Sequence, residues 1–116
     1  MARVALLSRD LLFASRLQAE LAGAGIDVEL TASLDRVAEL GAGDLVVVDL
    51  ASGDFDAATV ASSLAAPAPS TLAYYSHVDG AVRQAALAAG IERVVPRSRL
   101  AREGLTLVRS ALADAG

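Results

Sequence analysis

The 116-residue chain has no cysteine and no tryptophan, and only 3% of its residues are aromatic. Without cysteine there is no disulfide framework and no thiolate metal site, and a reducing compartment is compatible. So few aromatic rings argue against a base-stacking platform for single-stranded nucleic acid. The ten cationic side chains are all arginine, scattered along a chain of net charge −4. A spread of this kind, not gathered on one stripe, argues against nucleic acid as a direct partner. No run approaches the roughly 18 uninterrupted apolar residues of a membrane helix. Arg3, Arg9 and Asp10 interrupt the N-terminus too early for a secretory signal, so a cytoplasmic protein is expected. What is present is 54% apolar and 21% charged residues, the balance of an ordinary globular chain. The length suits one domain over residues 1–116, and the Ala-Pro-Ala-Pro piece around Pro67 reads as a stiff loop.

Short β-branched or leucine-rich runs alternate with longer alanine-rich stretches: RVALLS, IDVELTA, LVVVDL, TLAYYS and ERVVP are each followed by a helical pattern. Asp10 is placed to cap a first helix whose Phe13, Leu17, Leu21 and Ala24 recur at helical spacing, with Gly23 to Gly25 as its stop. Ser33 is placed to cap a second that buries Leu34, Val37 and Leu40. Asp54 or Asp56 opens a third with Val60 and Leu64, which Pro67 and Pro69 end. Asp79 begins a fourth with Val82, Ala86 and Ala89 inward and Gly90 as terminator. Ser98 begins the last, with Leu105, Val108 and Leu112 on one face and Gly104 as a weak point.

Runs such as LVVVDL lack strict alternation, as expected of strands covered by helices on both faces of a parallel sheet. Five β-α units at this length predict an α/β, flavodoxin-like doubly wound (βα)5 fold with a five-stranded parallel sheet of order 2-1-3-4-5. Its crevice lies outside the carboxyl ends of strands one and three. The strands deliver to that crevice Ser8, Arg9 and Asp10, then Asp49, then Ser76, then Pro96 and Arg97.

At these positions the chain resembles the receiver domains of bacterial two-component response regulators. The likeness runs over essentially the whole sequence, through element order, loop lengths, Asp49 within LVVVDL, Ser76 within LAYYSHVD and the AAGIERVVPRSRL ending. By this resemblance Asp49 is the candidate phosphoacceptor and Ser76 the candidate switch hydroxyl. Receivers carry two adjacent acids after strand one that hold Mg²⁺ with the phosphoacceptor; Ser8 and Arg9 stand there instead. Receivers also carry a lysine after strand five. Aligning the last proline puts Val95 at that place, whereas keeping the distance from Ala89-Gly90 puts Arg97 there. Arg97 is the favoured match, because a cation at that strand end has an electrostatic reason to lie beside Asp49. Arginine nevertheless holds phosphates and carboxylates differently from the compact lysine ammonium.

Phosphoryl transfer depends on positioning and on cations that neutralise the transferring group, and Mg²⁺ demands hard oxygen ligands. Replacing two acids by Ser8 and Arg9 shifts the local charge by about three units and leaves a poor magnesium site. Asp10 with Asp49 is the remaining lean ligand pair, although helix capping is the simpler role for Asp10. The guanidinium of Arg9 is expected within hydrogen-bonding reach of Asp49, as a built-in counter-ion.

These expectations describe a degenerate receiver-like domain in a two-component or phosphorelay-type pathway. It is not an enzyme and has no cofactor, taking Mg²⁺ only if the pocket is active. It would bind a protein, or itself, through the face of helix four, strand five and helix five, roughly residues 80 to 112. Val82, Arg83, Ala85, Arg97, Arg102 and Arg109 are the contact candidates. An active receiver phosphorylated on Asp49 is one alternative. A module binding FMN or a similar anion is another, opposed by the lack of glycine in SRDLLFAS, which cannot bring several backbone N–H groups close to a phosphate. His77, the one histidine, reads as a loop residue, since a lone imidazole beside Asp79 makes neither a zinc site nor a triad. Tyr74 and Tyr75 are expected on opposite faces of strand four, as packing plus one half-exposed ring.

Overall fold

Each apolar run forms a strand because β-branched side chains suit a pleated surface and every second one has a helix to pack against. The computed structural model describes residues 2–76 and 79–115. In chain order the elements are β1 (Val4–Leu7), α1 (Leu11–Gly23), β2 (Val28–Thr31), α2 (Leu34–Val37), β3 (Leu45–Asp49), α3 (Ala57–Ser63), β4 (Ser70–Tyr75), α4 (Gly80–Ala88), β5 (Arg93–Pro96) and α5 (Arg97–Ala115). All neighbouring strands pair in parallel, in the order β2-β1-β3-β4-β5. This is the flavodoxin-like order that the alternation predicts. Among the described residues no helix is long and apolar enough to cross a membrane.

The period of two along each strand divides the core into two layers. Val4 and Leu6, Leu45 and Val47, and Leu72 and Tyr74 face α1 and α5, where Leu17, Leu21, Leu100 and Val108 meet them. Ala5 and Leu7, Val46 and Val48, and Ala73 and Tyr75 face the other helices, with Val37, Leu40, Val60 and Ala86. The two tyrosines do lie on opposite faces, but neither ring is half-exposed: Tyr74 is 1% and Tyr75 8% accessible. Burying one such valine contributes about 1.5–3 kcal/mol. The central position of β3 therefore anchors the fold and holds its last residue, Asp49, in one place.

Helix starts follow the capping chemistry read from the sequence. Asp10, Ser33, Asp56 and Asp79 each accept a hydrogen bond from the backbone N–H three residues on. Asp56, not Asp54, opens α3, and that helix ends at Ser63, ahead of Pro67. Helix α2 is a single turn, although Val37 and Leu40 are both buried as expected. Helix α5 begins at Arg97, one residue before Ser98, and leaves helical geometry at Glu103 (φ −121°, ψ 21°). Gly104 then does more than weaken the helix. A Cβ there would stand 2.8 Å from Leu17 Cδ1, so its missing side chain is what lets α5 cross α1 closely.

Gly104→Val is expected to lower stability by about 1–3 kcal/mol through overpacking against α1. The midpoint of a urea unfolding curve measures this, and an unchanged midpoint would contradict the close crossing.

Candidate functional site

Parallel register aligns Val4 with Leu45, Leu6 with Val47, and Asp49 with Tyr74. One step beyond the last β1 pair, Ser8 continues the face of Val4 and Leu6, just as Asp49 continues that of Leu45 and Val47. Ser8, Asp49 and Tyr74 therefore form a row across the carboxyl ends of the three central strands, beneath α1. All three are buried, Asp49 to 1% accessibility.

Ser8 joins the row together. Its hydroxyl donates to Asp49 Oδ2 at 2.7 Å, and its oxygen accepts from the Asp10 N–H at 3.0 Å and, more weakly, from the Tyr74 hydroxyl at 3.5 Å. That uses the one donor and both acceptor sites of a serine hydroxyl. The other Asp49 oxygen, Oδ1, accepts from the N–H groups of Ala51 at 2.8 Å and Ser52 at 3.1 Å. Three donors thus meet the carboxylate charge, each a charge-assisted bond. Phe13 closes the row from above, its ring centroid 4.9 Å from that of Tyr74 at an interplanar angle of 39°. Burial pushes the Tyr74 phenol well above its ordinary ionisation range; its bond to Ser8 works against this, and the charges of Asp49 and Asp10 add to it. The phenol consequently remains a neutral donor at physiological pH.

The cations are arranged differently from expectation. Arg9 makes no ion pair with Asp49. Its guanidinium carbon lies 5.8 Å from the centroid of the Phe55 ring, bridging the β1–α1 loop to the β3–α3 loop over the mouth of the crevice. The reason is positional: Ser8 takes the inward place on the Asp49 face, and the next residue is exposed beyond the strand end. Arg97 does not reach Asp49 either; its guanidinium lies 3.8 Å from Asp10 Oδ2. Asp10 caps α1 with its other oxygen, which accepts from the Phe13 N–H. Val95, the other place considered for a lysine, is buried in the layer beneath α1 and α5.

Ser76 follows β4 at the edge of the crevice, half-buried, and its carbonyl accepts from the Asp79 N–H at 2.9 Å. His77 lies outside the described residues. Of the contact candidates, Arg83, Ala85, Arg97, Arg102 and Arg109 are exposed. Val82 is half-buried, packed against the layer under α4. A cavity of about 510 Å³ lies at the opposite end of the sheet, and its two guanidiniums, Arg3 and Arg36, are already paired with Asp44 and Glu29.

Asp49 spends both oxygens on local donors, Asp10 is turned to its helix and to Arg97, and among the described residues no three acidic or imidazole side chains converge. Against known proteins, the sequence matches no family model and no curated protein. Ser8 was foreseen at the pocket, but its bond to Asp49, the place of Tyr74 in the row and the Arg9–Phe55 contact were not. The first two follow from the strand period combined with parallel register; a contact between two loops has no such periodic signal.

Ser8→Ala leaves a buried carboxylate oxygen without its donor and is expected to cost about 1–3 kcal/mol. Arg9→Ala removes an exposed contact worth about 1 kcal/mol or less. Chemical unfolding of both variants checks the order, and a larger loss for Arg9→Ala would restore the counter-ion arrangement. Because the Tyr74 ionisation is shifted upward, its stabilising contribution is complete below pH about 10, the unfolded-state value, and is lost as pH rises above it. Tyr74→Phe should therefore flatten the fall of the urea midpoint between about pH 9 and 11. An equally steep fall would contradict this.

Proposed function

We propose that this chain is a receiver-like signalling module that acts by binding another protein, with an Asp49 site that no longer supports magnesium-dependent phosphorylation. One observation carries the reading: Ser8 Oγ lies 2.7 Å from a fully buried Asp49, in a place where the resemblance calls for an acidic metal ligand. A hydroxyl there supplies a proton to the carboxylate, and cannot add negative charge to attract a dication. The chain also has no lysine anywhere, so no ammonium is available to pair with a phosphorylated aspartate. Arg97, the nearest substitute in sequence, is turned to Asp10.

A module that is not switched by phosphate is recognised by its surface. The exposed arginines Arg83, Arg97, Arg102 and Arg109, with Ala85, support the face of α4, β5 and α5 as the partner-binding surface. Among the described residues no nucleophile and base pair suggests catalytic turnover, and the activity proposed is association in a two-component or phosphorelay-type pathway.

Incubation with acetyl phosphate and Mg²⁺, followed by intact mass measurement, is expected to give no phosphorylated species. A phosphate adduct that disappears in Asp49→Asn would overturn the reading in favour of an active variant receiver.

A further inference from the structure

Two large apolar side chains are left in water at the start of α1: Leu11 is 66% and Leu12 68% exposed. The only other exposed large hydrophobic side chain among the described residues is Leu87 on α4, at 40%. Apolar exposure is therefore concentrated away from the face assigned to partners above. Adjacent exposed leucines on a helix that already buries Ala14, Leu17 and Leu21 against the sheet are not a by-product of core packing.

At about 3.6 residues per turn, Leu12 points directly away from the buried side of α1. Ser15, Ala19, Ala22 and Gly23, all exposed, continue that outward face. Apart from Leu12 itself and Arg16 at its border, that face carries nothing larger than a methyl or hydroxymethyl group, so another helix could approach it closely. The only charged residues in α1 are Arg16 and Glu20, both exposed on the flank nearer α5, where the Glu20 carboxylate stands beside Gly104; they make no ion pair with each other. The helix is thus electrically neutral in a chain of net charge −4.

From this arrangement we infer that the outer face of α1 is an interface for a second copy of the chain, packed antiparallel about a two-fold axis. In an antiparallel helix pair, equivalent flanks face one another across the axis. Arg16 of each copy then lies opposite Glu20 of the other, forming two identical ion pairs from one sequence. Leu12 of each copy comes to rest over Ala22 and Gly23 of the other, where the small side chains leave it a seat. Unlike partners need supply no such matched pair of charges, whereas self-association uses both residues twice. The neutral helix also spares two acidic molecules from like-charge contact. Stable interfaces bury about 800 Å² per partner, and one helix face supplies less, so the dimer is weak and concentration-dependent. The inference stands apart from the Asp49 reading, since none of these residues belongs to that row.

Sedimentation equilibrium of the full chain over a concentration series up to about 1 mM tests it. A monomer–dimer equilibrium is expected, weakened more than tenfold by Leu12→Glu, a substitution at an exposed site whose folding circular dichroism verifies. Arg16→Glu and Glu20→Arg are each expected to abolish self-association. An equimolar mixture of those two variants should recover it, because every facing pair is then again of opposite sign. A monomer throughout the series overturns the inference and leaves the leucines to an unlike partner. A dimer indifferent to these substitutions, or one that the mixture fails to restore, overturns it as well.

Discussion

The hydroxyl of Ser8, 2.7 Å from Asp49, determines what the carboxyl end of this sheet can be. A buried carboxylate must be matched by donors or by a cation, since its desolvation otherwise costs several kcal/mol. Here serine and two loop amides supply the match, so the crevice needs no ion to be complete. The same hydroxyl accepts from the backbone N–H of Asp10, whose side chain caps α1, and from the Tyr74 hydroxyl, whose ring meets Phe13 beneath that helix. One serine hydroxyl thus connects the first loop, the third strand and the fourth.

The two ends of β3 solve the same problem in different ways. Asp44, just before the strand, is also buried. Burial would raise its ionisation range, but the N–H groups of Gly41 and Arg3 and the Arg3 guanidinium hold it below the ordinary carboxylate value. There the chain uses an arginine 3.0 Å away. At Asp49 the available arginine is turned outward to Phe55, and neutral donors take its place. The Asp49 partners are thus set by strand geometry and the following loop, while Arg9 links two loops through its contact with Phe55.

The helices divide the remaining work. Helix α5 is pressed onto α1 at Gly104, which secures the layer above the Asp49 row, while α1 turns Leu11 and Leu12 outward. Recognition by such surfaces needs shape and charge but no turnover. The exposed arginines of α4 and α5 and the neutral face of α1 are chemically distinct surfaces, suited to different contacts.

Much of the architecture was legible in the amino-acid order alone. Alternating apolar runs and capped amphipathic stretches specify strands, helices and the parallel order, because these depend on local periodicity and on short right-handed crossovers. The caps at Asp10, Ser33 and Asp79 were readable for the same local reason. What only the tertiary structure decided is which side chain meets which across the crevice. Arg9 and Arg97 have long, flexible stems, and their directions depend on Phe55 and Asp10 in distant segments. Ser8 is short and sits on the strand face itself, so its partner was settled once β1 and β3 came into register.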